Sequence, residues 1–337
     1  DSHPWLLNQP GIDVFLAEMR DHVFHRYDSM TVAEVSVPDD RLEEYIGENG
    51  YFSMVFDFSY TDIDVNGVTT PCDLVPWNLD ELKEHIYHSQ EVTQKIGWAA
   101  PYLENHDQPR SVNKYLPAGA INNYNTKMLG ALFFFLRGTP YIYQGQEIGM
   151  QNYPFTRIEQ FVDEGALKKY EVAAACGESE EKIMDYLRRR SRDNGRTPMQ
   201  WSDSEYAGFS SETPWLSINP DYKWRNVRTQ EQDDMSVLRF YQRMVWLRLH
   251  SEYQDVLTYG LFEGLRVGGP EDFVYRRYDE THEVLVLLNY SGEERPYTID
   301  LSEYEILLDN YKAISDLSCP GAIHDDIGER HAFLPWQ

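Results

Sequence analysis

Cysteine is scarce: Cys72, Cys176 and Cys319 are the three in 337 residues. Odd in number and far apart, they offer neither a disulfide framework nor a metal-ligand spacing, and the compartment they imply is a reducing cytoplasm. Basic residues are in deficit too, 30 Lys and Arg against 56 Asp and Glu, for a net charge of -26. A field of that sign repels a phosphate backbone, so nucleic acid is not an expected partner. No run reaches the roughly 18 apolar residues of a membrane helix. The longest candidate, MLGALFFFLRGTPYIY, is broken by Arg137, Gly138 and Pro140. There is no visible signal peptide, internal repeat or low-complexity segment. The NYS triplet at 289–291 fits a glycosylation sequon, which matters only in a secreted protein.

What is present suits a folded chain of about two domains. At 42% hydrophobic it can bury a sizeable core, and its 24 Tyr and 8 Trp exceed ordinary usage. Flat aromatic faces suit sugar rings, although any single one ordinarily serves as core or surface filler.

Periodicity divides the chain into elements. GIDVFLAEMRDHVFHRY places Ile12, Phe15, Leu16, Met19 and Val23 at helical spacing. A short strand, MTVAEVS, ends near Glu34, and a polar helix at about 38–47 leads to a second strand, YFSMVFDF. NLDELKEHIYHSQEVTQKI is a helix with Asn78 as cap and Glu81 three residues on. APYLEN is a third strand, NTKMLGALFFFLR a helix and TPYIYQG a fourth strand. Alternation with long connections predicts a parallel sheet covered by helices. Polar residues stand just past three strand ends: Glu34, Asp107 and the run from Gln144 to Glu147. In an α/β barrel that end is the active-site face.

Residues 151–234 read as irregular, with one helix at ESEEKIMDYLRRRSR, and MSVLRFYQRMVWLRLHS is a strongly amphipathic helix. Beyond about residue 257 the segments FVYRRYD, EVLVLLNYS, RPYTIDL and YEILLDNY predict an antiparallel sheet, local enough to fold by itself.

Asn105, His106 and Asp107 follow an apolar approach, and two carboxylates are the usual minimum for breaking a glycosidic bond. Glu34, two strands away, is the matching acid. A single Glu at a strand end is ordinarily a solvated loop carboxylate. Two acids on alternate barrel strands would instead face one pocket, where apolar and like-charged neighbours raise a carboxyl pKa enough for proton donation. His106 adds a hydrogen-bonding group for sugar hydroxyls.

MTVAEVS, ENHDQPR, GTPYIYQGQEIGM and SRDNGRTPMQWSDSEYAGFSSETPW, in this order, resemble glycoside hydrolase family 13, the α-amylase family, and within it the oligo-1,6-glucosidase and α-glucosidase branch. FLAEMRDHVF and RFYQRMVWLRLHSE extend the resemblance over nearly the whole chain. RTPMQW is specific, whereas NHD alone would be weak. The resemblance implies an α/β fold: the C-terminal half of a (β/α)8 TIM barrel followed by an antiparallel β-sandwich domain. Strands five to eight of the barrel would lie within 1–250, with the insertion at about 151–234, and the β domain would occupy 257–337.

The same resemblance assigns roles. Glu34 matches the general acid/base at strand five. Asp107 matches the acid at strand seven that stabilises the oxocarbenium-like transition state. His106 matches the histidine that binds the cleaved glucose, and Arg196 the arginine that fixes the non-reducing glucose and makes such enzymes exo-acting. Gln146 and Glu147 stand at strand eight, where the usual pair is Glu-Glu.

The pattern departs from the family at the front. The nucleophile motif, Gly-Phe-Arg-x-Asp, has no counterpart. Asp13 in GIDVF lacks the arginine two residues before it and lies inside a helical pattern. The expectation is therefore the C-terminal part of a longer retaining exo-acting α-glucosidase, inactive alone. Its partners would be a short isomalto- or malto-type oligosaccharide and the missing N-terminal half of the same enzyme. No cofactor is expected in this chain, because the calcium site of many relatives lies in the upstream portion. Trehalose-6-phosphate hydrolase is a second reading within the branch. A sucrose isomerase is a third, against which SVNKYLPAG fails to match the loop that such enzymes carry after Asn-His-Asp. From another class, a transporter heavy chain would be a non-catalytic relative; retention of Glu34, His106, Asp107 and Arg196 argues against it.

Overall fold

The computed structural model describes residues 9–27, 29–65, 72–117, 119–291 and 304. Its helices are α1 (Ile12–His22), α2 (Asp39–Leu42), α3 (Leu79–Ile96), α4 (Ser111–Tyr115), α5 (Asn123–Phe134), α6 (Glu164–Ala175), α7 (Glu180–Arg190), α8 (Asp193–Arg196), α9 (Val227–Gln230), α10 (Val237–His250) and α11 (Gln254–Tyr259). Its strands are β1 (Val32–Glu34), β2 (Met54–Phe56), β3 (Leu261–Gly264), β4 (Asp272–Tyr278) and β5 (Glu283–Asn289).

β1 and β2 pair in parallel, with Glu34 in register with Phe56. The pairing continues through a single parallel bridge between Val55 and Ala99, where Ala100 N–H donates to Val55 O at 2.9 Å. It reaches 139–141 through Thr139 N–H to Ala99 O at 2.9 Å and Tyr141 N–H to Pro101 O at 2.8 Å. All four expected parallel segments thus run side by side in sequence order, but the third joins the second through a single bridge and the fourth joins the third through two hydrogen bonds, so neither is a full strand. Proline explains this: Pro101 has no N–H to give the fourth segment, and the donor lost at Pro140 lies on that segment's other side. Gly138 lets the fourth segment approach closely. Its φ is +130°, and a Cβ there would stand 2.3 Å from Ala99 O.

The connecting helices follow the sequence signals. Asn78 caps α3 in a reciprocal capping box with Glu81, and Asn122 does the same for α5 with Asn125. The polar helix expected over 38–47 shrinks to the single turn of α2. In 151–234, read as irregular with one helix, there are two substantial ones. α6 and α7 close over a second small core of Phe155, Phe161, Ala166, Ala173, Ile183, Met184 and Leu187. α6 gives little periodic signal because EGALKKYEVAAA has a narrow apolar stripe, with Ala166 and Ala173 its buried positions.

The carbonyls at the end of α5 are satisfied from two other elements. Arg248 of α10 donates to Phe134 O at 2.9 Å and Gly138 O at 2.6 Å. Arg277 of β4 donates to Phe135 O and Leu257 O at 2.8 Å and to Gly260 O at 2.7 Å. Both arginines are buried, and a helix C-terminus is where cations are favoured.

β3, β4 and β5 form an antiparallel sheet in that order. β5 alternates, burying Val284, Val286 and Leu288. The expectation that this sheet is self-contained is corrected. Its inner face belongs to one apolar cluster that joins Phe273, Tyr275 and Val286 to Leu82 and Ile86 of α3, Leu129 and Phe133 of α5, and Phe240 and Met244 of α10. The expected strands RPYTIDL and YEILLDNY, with Cys319, lie outside the described residues, apart from Tyr304. No helix among the described residues is long and apolar enough to cross a membrane.

Candidate active site

The third parallel segment ends in buried Tyr102 and Leu103, and the chain then turns sharply. Asn105 builds the turn: its Oδ1 accepts the Asp107 N–H at 2.8 Å, an Asx arrangement that favours Asn here. Just before it, Glu104 is buried and accepts Arg110 Nη1 at 3.0 Å and the Ser111 N–H at 2.6 Å. Arg110, also buried, donates onward to Gln144 O at 2.7 Å. The NHDQPR segment is thereby tied at its far end to the fourth parallel segment.

The 105–108 turn packs against α8. Gly195 is required there, because a Cβ would stand 2.7 Å from Asn105 O and 2.9 Å from Gln108 O. This contact delivers Arg196 to the acid: its Nη2 lies 2.9 Å from Asp107 Oδ1, its Nε donates to His106 O at 2.9 Å, and its Nη1 is 3.5 Å from Asp163 Oδ1. Arg192 Nε stands 3.5 Å from the same Asp107 oxygen, and His106 Nε2 is 3.7 Å from Asp107 Oδ2. Asp107 is half-buried between two guanidinium groups, while His106 stays largely exposed.

Glu34 ends β1 and is exposed. Its carboxyl makes no hydrogen bond or ion pair with any described residue. Asp107 follows the end of the third parallel segment. With β2 between them, the two strand ends are two strand spacings apart, about 10 Å. The apolar enclosure expected around Glu34 is not built by the described residues. Phe56, the residue beside it in register, turns its ring to Tyr102 and Tyr141, with centroids 5.0 Å and 4.9 Å away.

The other candidates fall elsewhere. Gln146 is buried beneath the fourth segment's turn, and burial pushes the Glu147 carboxyl above its usual range. Asp13 lies exposed in the first turn of α1. Sequence reasoning passed over Arg192 and Asp163. Arg192 was visible as the SRD of SRDNGRTPMQW, one helical turn before Arg196; Asp163 carries no local signal beyond capping α6. Beside Arg196 opens a cleft of about 420 Å3 lined by Asp163, Glu164, Arg192, Asp193, Arg196 and Trp215. Trp215 is 68% exposed and offers a flat apolar face. Asp193 accepts the Val162 N–H at 2.8 Å through Oδ2. Its buried Oδ1 is unpartnered among the described residues, and burial raises its pKa. No cluster of three or more His, Cys, Asp or Glu among the described residues is placed to hold a metal ion.

Comparison with known proteins places this geometry. The family description "Alpha amylase, catalytic domain" matches residues 1–260. A probable oligo-1,6-glucosidase of Bacillus subtilis (strain 168) is 38% identical over 296 residues, 86% of this chain and 51% of that protein. The crystal structure of Bacillus licheniformis trehalose-6-phosphate hydrolase superposes with a TM-score of 0.84 at 31% identity, covering 98% of this chain and 59% of that one. That of the isomaltulose synthase from Klebsiella sp. LX3 gives 0.80 at 31%, over 87% and 53%. The chain spans about half the length of the curated relatives it matches. A family match over residues 1–260, together with relatives 37–38% identical over 86–92% of the chain, shows that this chain belongs to the α-amylase family, glycoside hydrolase family 13.

Proposed function

We propose that these residues are the second half of the catalytic (β/α)8 barrel of a retaining, exo-acting α-glucosidase, followed by a β-sandwich domain beginning near residue 257. The observation that carries this reading is the Asp107 cluster. An acid clamped by Arg196, with His106 beside it, stands past the end of one parallel segment, and Glu34, whose carboxyl has no partner among the described residues, ends another two strands away. Glu34 protonates the glycosidic oxygen as the bond to the leaving group breaks. Asp107 and His106 hydrogen-bond the hydroxyls of the glucose whose ring gains positive charge. Arg196 fixes the Asp107 carboxylate and has remaining N–H groups for the terminal sugar. The nucleophile that traps the glucosyl unit comes from a segment outside these 337 residues. No cofactor takes part within this chain, and the protein works in the cytoplasm on short oligosaccharides.

The names of the relatives support oligo-1,6-glucosidase first and trehalose-6-phosphate hydrolase second. The test is the full-length protein that carries this chain, assayed on an aryl α-glucoside, isomaltose and trehalose 6-phosphate. Glu34→Gln should lower kcat on unactivated substrates by about 10²–10⁴-fold while substrate binding survives, since protonation of the leaving group matters mainly in the transition state. Near-normal turnover by that variant would reject Glu34 as the acid. Wild-type protein inert on every α-glucoside would favour the non-catalytic relative.

A further inference from the structure

Beside the candidate acid lies a largely buried polar cage, open to solvent at Asp62, whose side chain is 41% exposed, that no step of the proposed reaction uses. Gln108, the residue after Asp107, is 4% exposed. Its Nε2 donates to Asp62 Oδ1 at 2.9 Å. Its Oε1 accepts Arg190 Nη1 at 3.1 Å and Lys114 Nζ at 3.4 Å. Arg190 pairs with Asp62 at 3.0 Å and with Asp64 at 3.1 Å. Lys114 pairs with Asp64 at 3.1 Å and donates to Thr61 O. The amide orientation is fixed by charge at both ends, its oxygen facing two cations and its nitrogen a carboxylate. With Lys114 protonated the two cations balance the two carboxylates, and burial, assisted by Arg190, pushes that lysine down to about 8.

The members come from separate places: Asp62 and Asp64 from the loop after β2, Lys114 from α4, Arg190 from the end of α7. Stability alone would be served as well by apolar packing, because buried ionic groups repay their desolvation only with good geometry. The cage does one thing apolar packing could not: it grips a side chain one residue from Asp107 with directional bonds. We infer that Gln108 is a positioning residue for Asp107, and that Asp62, Lys114 and Arg190 set the reaction geometry through it. This rests on Asp107 acting at the reaction centre.

The experiment uses the full-length protein and Gln108→Met, which keeps length and removes the amide. Positioning predicts a kcat about 10- to 100-fold lower per folded molecule, with KM changed less than about threefold, because a misplacement near 1 Å is felt chiefly in the transition state. The double variant Gln108→Glu with Asp62→Asn reverses the direction of that hydrogen bond while conserving the cage's charge, and should recover most of the loss. Unchanged kcat in folded Gln108→Met overturns the inference, as does a loss that merely tracks the folded fraction. Whether or not the wild type hydrolyses glycosides, the Asp107 amide offers an independent reading. In Gln108→Met its hydrogen exchange should quicken at least about tenfold while α3 stays protected, and unchanged protection at Asp107 also overturns it. A wild type without activity but with that exchange response would reject the proposed function and leave the positioning intact.

Discussion

At the scale of single residues the charges around Asp107 decide what each substitution should do. Arg196 spends three of its donors on Asp107, His106 O and Asp163, so its loss acts on the acid as well as on the sugar contact proposed for it. Arg196→Ala in the full-length enzyme should raise KM for short isomalto- or malto-oligosaccharides and lower kcat together; unchanged kinetics would remove it from the site. Glu147 gives a prediction of opposite sign. Burial raises its pKa in the folded state, so its contribution to stability is fully present below the unfolded value and is lost as pH rises through the folded one. At neutral pH the buried charge is a cost. Glu147→Gln should therefore raise Tm at pH 7, with the advantage vanishing toward pH 4, as followed by thermal unfolding at several pH values.

Elements are held by groups that local pattern does not announce. Arg277 binds carbonyls at the end of α5, at the end of α11 and at the turn into β3, so Arg277→Met leaves several buried acceptors without a donor. The expected cost is at least about 3 kcal/mol, measurable by denaturant unfolding, and larger than that of a surface arginine such as Arg189. α8 depends on a different constraint. Gly195→Ala would push a methyl into Asn105 O and Gln108 O, and relief must come from moving α8 or the 105–108 turn. Activity should fall more steeply than stability, because the displaced pair is Arg196 and Asp107.

At the scale of the whole molecule, the described residues leave apolar surface and sheet edges uncovered. α1 has no buried residue among its eleven, and Val14, Phe15 and Met19 are 63%, 66% and 45% exposed. Among the described residues, β1 and the 139–141 segment each pair on one side only. Unpaired edges and an uncovered apolar helix invite association. We expect residues 1–337 alone to hydrolyse no aryl α-glucoside and to bind a hydrophobic dye, and co-expression with the other half of a family barrel to reduce that binding. Activity from this chain alone would mean that a nucleophile lies within it, with Asp13 the first position to mutate. The antiparallel sheet should not fold when excised at residue 257, since Phe273 and Tyr275 would lose α3, α5 and α10; a cooperative unfolding transition in that piece would contradict this.

What the sequence determined by itself was everything carried by short-range pattern. Asn78 with Glu81 and the period of Val237–His250 set helices, alternation set β5, and MTVAEVS, NHDQPR and RTPMQW marked the family, because spacing and side-chain type act within a few residues. Tertiary structure alone decided that Arg192 joins Arg196 on Asp107, that Asp163 lies behind them, that Gln108 is caged by groups up to 82 residues away, and that Arg277 caps a helix 142 residues before it. Those contacts depend on which backbone elements pack together, and a guanidinium or an amide carries no mark in the sequence of the partner that burial will force it to find.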